Sequence, residues 1–160
     1  MSEMIVITCE ELCPDQFTNL VRRDTNGAVV TFLGTTRDTF EGRRVIRLEY
    51  EAYEEMAYRK LEEIRQQLKA EFGVEDVAIG HRIGVVDIGE ISLVVAVASP
   101  HRSEAFNACH EAVNRLKHSV PIWKKEFYEG GEHWVACEDH MFQERTESSP
   151  EPLAAPADND

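Results

Sequence analysis

The stretch Ile91-Ser92-Leu93-Val94-Val95-Ala96-Val97-Ala98-Ser99 constrains this chain more than any other. It carries no charge, is rich in valine, and is bounded by Glu90 and Pro100. Such a run is a central β-strand buried on both faces. A sheet built around it needs apolar cover from two sides, and the sequence offers helices for the purpose. Over Glu54–Phe72, Met56, Leu61, Ile64, Leu68 and Phe72 recur at helical spacing, and Gly73 supplies a stop. Residues 103–117 form a second helix, with Ser103 as its expected N-cap and Ala105, Phe106, Cys109, Val113 and Leu116 along one face.

The other elements follow from shorter signals. Residues 4–8 read as an edge strand, and Pro14 suits the first turn of a helix reaching about Arg22. Residues 27–36 form a β-branched strand with a special backbone position at Gly34. The polar stretch 38–44 reads as an exposed loop, and residues 45–53 alternate with period two. A further strand spans 74–83 before a turn at 87–90. Pro121 ends the second long helix, and Ile122–Tyr128 pairs with residues 133–135 around Gly130-Gly131 as a hairpin. The expected class is α+β in one domain over residues 1–137.

Beyond that boundary the composition shifts. Residues 138–160 hold seven acids against one base and half of the six prolines, with little that is apolar. The expectation is a disordered acidic tail, because such a segment cannot bury enough surface to offset its ordering entropy.

Charge and cysteine usage exclude whole classes. Seventeen Lys and Arg stand against thirty Asp and Glu, a net charge of −13, which argues against a general nucleic-acid binder. Cys9, Cys13, Cys109 and Cys137 show no C-x-x-C pair, and no H-x-x-x-H pair occurs, so neither a metal nor a cofactor is indicated. Reduced thiols, no membrane-length apolar run and a start without a basic or long apolar leader give the expectation of a cytoplasmic protein outside any membrane.

Within this acidic chain, residues 101–125 carry five bases against two acids, plus three histidines. That is either a solvated basic face or an anion site. Three places could hold chemistry. Thr35-Thr36-Arg37 ends a strand, where a guanidinium can meet phosphate or carboxylate, or simply water. At Ser99-Pro100-His101-Arg102 a strand passes into a helix N-terminus, where cations are disfavoured unless an anion is bound. Lys117 complements the dipole at a helix end, and Lys124, following Ile122-Trp123, has a candidate dry wall that would tune an amine. The residues alone reach an α+β domain with a cationic pocket for a small phosphorylated or carboxylated ligand.

Four ordered stretches carry a resemblance: GAVVTFLGTTRDTFEGRRVIRLEYEAYEEMA (27–57), HRIG (81–84), SPHRSEAF (99–106) and LKHSVPIWKKE (116–126). Together they resemble the large, catalytic subunit of the molybdopterin synthase family. The resemblance implies an α/β-hammerhead-like fold with a mixed or antiparallel sheet. It implies a sulfurtransferase that converts cyclic pyranopterin monophosphate to molybdopterin, with sulfur from the C-terminal thiocarboxylate of a small ubiquitin-like carrier. It also implies a heterotetramer around a central homodimer. Residue by residue, Lys117 and Lys124 match the catalytic lysines. Arg37, His101 and Arg102 match phosphate-binding positions; Lys125 and Glu126 match substrate contacts, with Thr35 or Thr36 beside them. A thiocarboxylate brings its own nucleophilic sulfur, which suits a site with no conspicuous Ser or Cys nucleophile. A non-enzymatic module that docks a partner's C-terminal carboxylate would share the basic patch but lack a second anion site.

Overall fold

The structure, a computed structural model, describes residues 3–136. Cys137 and the acidic segment 138–160 lie outside the described residues. In chain order the elements are β1 (Ile5–Thr8), α1 (Pro14–Val21), β2 (Ala28–Thr35), β3 (Thr39–Phe40), β4 (Arg43–Ala52) and α2 (Glu54–Phe72). They continue with β5 (Asp76–Arg82), β6 (Gly84–Asp87), β7 (Ile91–Ser99), α3 (Arg102–Ser119), β8 (Ile122–Tyr128) and β9 (Gly131–Ala136).

The fold is α+β with two sheets. In the first, of order β1-β5-β7-β2, β1 is parallel to β5 and the other pairs are antiparallel. The apolar run forms β7, between β5 and β2, as its composition requires. One face of it, Leu93, Val95 and Val97, joins the core under α2 and α3. The other, Val94, Ala96 and Ala98, packs with Phe17 and Val21 of α1. The alanines on that second face let α1 sit close. A Cβ on Gly80 would fall 2.3 Å from Phe17 Cζ, and the Phe17 ring is itself buried, so it has nowhere to swing. Gly80→Ala should therefore cost about 1–3 kcal/mol, the usual range for overpacking a core. Urea denaturation reads this directly, and an unchanged midpoint would contradict the packing of α1.

Helix α2 has the bounds its sequence predicts and stops at Gly73, which takes φ 65 and donates its N–H to Lys69 O. The buried face differs from expectation. Ala57, Leu61, Ile64, Arg65 and Leu68 are inside, whereas Met56 is exposed. In α3 the buried face is Ala105, Ala108, Cys109, Ala112 and Leu116, and Phe106 is 60% exposed. In each helix a buried alanine, Ala57 or Ala105, sits beside a large apolar side chain that is exposed, and hydrophobicity alone overrates the larger neighbour.

The second sheet has order β3-β4-β8-β9, with β6 also on β4. Two of its strands depart from the sequence reading. Part of the expected loop 38–44 is a small hairpin, with Thr39–Phe40 paired to Arg43 and Arg44 across Glu41 and Gly42, both at positive φ. The chain after Arg82 is not one strand and a turn. Gly84, at φ 82, redirects it out of the first sheet, and β6 pairs with Arg47–Tyr50 of β4 in the second. The β8–β9 hairpin forms as expected, turning at Gly130.

Candidate active site

A cavity of about 360 Å³ opens between the two sheets at the C-terminal end of α3. This volume falls in the ~300–1,000 Å³ range of small-molecule sites. Arg37, Lys117, Lys124 and Glu126 line it, so three cations face one carboxylate in a chain of net charge −13. Phe32, Leu48, Leu116, Val120 and Ile122 form its apolar wall.

The lysines arrive there because the chain reverses between them. α3 ends at Ser119, Val120 is extended at φ −85 and ψ 128, and Pro121 cannot continue the helix. β8 then runs back beside β4, and its period-two alternation sorts its side chains. Lys124 and Glu126 face the cavity, 3.6 Å apart, with Glu126 only 4% exposed. Lys125 falls on the opposite face of the strand, outside the cavity. There it pairs with Glu132 at 3.2 Å and lies over the Phe127 and Trp134 rings. Trp123 shares its parity, so the dry wall expected from Ile122-Trp123 comes from Ile122 without the tryptophan.

The end of β2 resolves the two threonines. A bulge between Gly34 and Thr35 resets the alternation there. Thr35 lines the cavity, whereas Thr36 does not. Thr36 is 4% exposed, and its backbone is clamped to the turn before β7, donating to Glu90 O and accepting from Gly89 N. Its hydroxyl is buried without a partner. Arg37 emerges beyond the clamp, exposed, with its guanidinium 5.8 Å from the Phe40 ring centre.

His101 and Arg102 are not in this cavity. His101, rather than Ser103, is the N-cap of α3; its side chain makes no capping bond, and both His101 and Arg102 are exposed. Lys117 lies fifteen positions along the helix from Arg102, a span of about 22 Å at 1.5 Å per residue.

Three further residues complete the floor, and none was singled out from sequence. The Tyr50 hydroxyl is hydrogen-bonded to the Ser92 side chain, and Ser92 Oγ donates onward to Gly34 O at the bulge (3.3 Å). Burial raises the Tyr50 pKa above its ordinary value despite the Ser92 bond. His81, 5% exposed, meets the Tyr50 ring edge-on with centroids 5.1 Å apart. A serine inside the apolar run, between Ile91 and Leu93, was the signal available for Ser92.

Burial pushes the His81 imidazole down to about 4; the Arg82 carbonyl opposes this, and the Lys117 charge adds to it. The folded pKa lies below the unfolded value of about 6.5, so between these limits the unfolded chain binds a proton that the folded chain refuses. Stability should therefore be undiminished by this group above about pH 6.5. It should fall as pH drops toward 4, by up to about 3 kcal/mol. Urea melts across that window should show a shallower decline in His81→Gln than in the parent chain.

An α+β domain with a cationic, dry-walled cavity defines an enzyme-like site for a small anion. Comparison with known proteins then gives the family. The model described as "MoaE protein" matches residues 7–119. The chain is 45% identical over 148 residues to the molybdopterin synthase catalytic subunit of Oryza sativa subsp. indica, covering 89% of this chain and 76% of that one. It superposes on molybdopterin synthase from Staphylococcus aureus with a TM-score of 0.80 at 38% identity, covering 84% of this chain and 98% of that chain. A complex of subunits 1 and 2 of molybdopterin-converting factor from Helicobacter pylori shares the fold, with a TM-score of 0.69 at 20% identity over 82% of this chain and 90% of that chain. The chain belongs to the MoaE family of molybdopterin synthase catalytic subunits.

Proposed function

We propose that this chain transfers sulfur to cyclic pyranopterin monophosphate, forming molybdopterin. The sulfur comes from the C-terminal thiocarboxylate of a small ubiquitin-like carrier subunit. The observation that carries this reading is the convergence of Arg37, Lys117, Lys124 and Glu126 on one cavity from β2, α3 and β8. The carrier's sulfur is the attacking atom, so the chain has no need to supply a nucleophile. Its tasks are to hold the phosphate, to stabilise charge as the acyl group leaves, and to move protons. Arg37 suits the first, since its fork can take two phosphate oxygens. Lys117 and Lys124, against an apolar wall, suit the others, with Glu126 holding the Lys124 amine in place. Thr35 sits where its hydroxyl can meet substrate, while Lys125 is turned away. The H. pylori complex, together with the sequence resemblance, supports a small subunit as partner.

The place of His101 and Arg102 follows from the homodimer that the same resemblance implies. Within one chain they lie too far from Lys117 to hold the same small substrate. If they bind the pterin phosphate, they do so at the cavity of a second copy. Among the described residues no helix is long and apolar enough to cross a membrane. The free thiols of Cys9, Cys13 and Cys109 support the cytoplasm as the place of action.

Arg37→Ala should weaken binding of the pterin precursor by about 1.5–3 kcal/mol, the scale of a hydrogen bond to a charged group. Calorimetry on the precursor alone, without carrier, is the measurement. Parent-like affinity in both Arg37→Ala and Arg102→Ala would remove the phosphate from this cluster. Single-turnover conversion of precursor with thiocarboxylated carrier tests the reaction itself.

A further inference from the structure

Among the described residues His81 is the one histidine lining the cavity, and its chemistry is set by a contact on its far side. Its Nδ1 lies 2.8 Å from Arg82 O. A carbonyl oxygen only accepts, so Nδ1 carries the hydrogen and Nε2 keeps its lone pair. The Tyr50 ring fixes the imidazole plane from the side, and the Tyr50 hydroxyl is engaged with Ser92. β5 and β7 hold the backbone, pairing His81 with Leu93. The ring therefore has one orientation, one tautomer and one acceptor nitrogen. The charged side chain acting on it is Lys117, from the last turn of α3.

We propose that His81 is a positioning residue for sulfur transfer, its Nε2 accepting from the Lys117 ammonium and aiming that amine into the cavity. This rests on the role given to Lys117 above and extends it to a group that touches neither phosphate nor sulfur. A lysine stem has four rotatable bonds, and ordering it costs entropy at each turnover unless something holds the head. A neutral acceptor does so without cancelling the charge. Glu126 already offsets part of the Lys124 charge, and a neutral partner leaves the Lys117 charge undiminished beside it.

Two substitutions separate the ring's two nitrogens. His81→Asn retains a donor near the Nδ1 position and loses the acceptor; His81→Gln places an amide oxygen near the Nε2 position and loses the donor. Both are compared with the parent chain in single-turnover sulfur transfer with thiocarboxylated carrier. His81→Asn should slow transfer by roughly 10- to 100-fold, the scale of one hydrogen bond to a charged group. His81→Gln should recover most of that loss. In a Lys117→Ala background His81→Asn should cost little more, because its effect passes through the amine. ¹⁵N spectra of the labelled chain, which need no substrate, should show the Nδ1–H tautomer and a Lys117 amine signal that moves in His81→Asn but not in His81→Gln. Equal losses in both variants, or a full His81→Asn penalty persisting in Lys117→Ala, would assign His81 to packing alone and overturn the proposal. If the parent chain transfers no sulfur, the reaction proposed above fails instead, and an unmoved Lys117 signal in His81→Asn still overturns the contact.

Discussion

Lys117→Ala should lower the single-turnover rate of sulfur transfer by two or more orders of magnitude, the scale of one lost acid–base or charge-stabilising group. Lys117 stands half-buried at the end of α3 and lines the cavity that Leu116, Val120 and Ile122 wall, so part of its charge is shielded from water. The variant should still fold and bind the small subunit, because the amine contributes to the pocket rather than to the core. Lys117→Arg should fail to restore the rate, since a guanidinium does not exchange its proton near neutral pH. Lys124→Ala should also be slow, but it strands the buried Glu126 carboxylate, so its stability must be measured beside its rate. Near-normal rates in both alanine variants would make these lysines surface charges and end the catalytic reading of this stretch.

The largest expected effect on stability lies far from that chemistry. Asp76, 6% exposed, accepts from Arg65 Nη2 at 2.8 Å and lies 3.5 Å from Arg23 and 4.0 Å from Lys69. Arg65, itself 7% exposed on α2, also donates to Val77 O at 2.7 Å and to Glu62 at 2.9 Å. This cluster ties α2 to the start of β5. Removing Asp76 leaves a guanidinium buried with half its compensation, a change that typically costs about 3–5 kcal/mol. Asp76→Ala should accordingly lower the thermal midpoint by about 6–20 °C for a chain of this size. Asp76→Asn, which keeps an acceptor, should lose less. Sulfur transfer per folded molecule should not change. A drop of only a degree or two would mean that water reaches Arg65 in the folded chain.

The site was partly legible in advance. Arg37, Lys117 and Lys124 stand out by residue type and by resemblance, Glu126 by resemblance alone, and the structure sets all four around one cavity. Lys125 shows where a run of letters misleads. Neighbours on a strand point to opposite faces, and Lys124 and Lys125 are indistinguishable until the strand's inner face is known. Thr35 and Thr36 show the same limit, sharpened by a bulge that shifts the parity. Tyr50, His81 and Ser92 come from three separate strands, and no spacing in a single stretch relates them.

What the sequence determined by itself was the kind and extent of its local elements. The apolar run could only be a central strand, Glu54–Phe72 could only be a long amphipathic helix ending at glycine, and the alternation before it had to be a strand. These are preferences of neighbouring residues for one backbone geometry, and they act over a few ångströms. The tertiary structure alone decided which strands share a sheet and therefore what meets at the cavity. Gly84 redirects the chain so that β6 joins β4 rather than prolonging β5. The turn at Val120 and Pro121 folds Lys124 back toward Lys117, and the length of α3 carries His101 and Arg102 away from both. Contacts between residues distant in sequence depend on how apolar faces share burial across the whole domain, and burial is non-directional until the faces have packed.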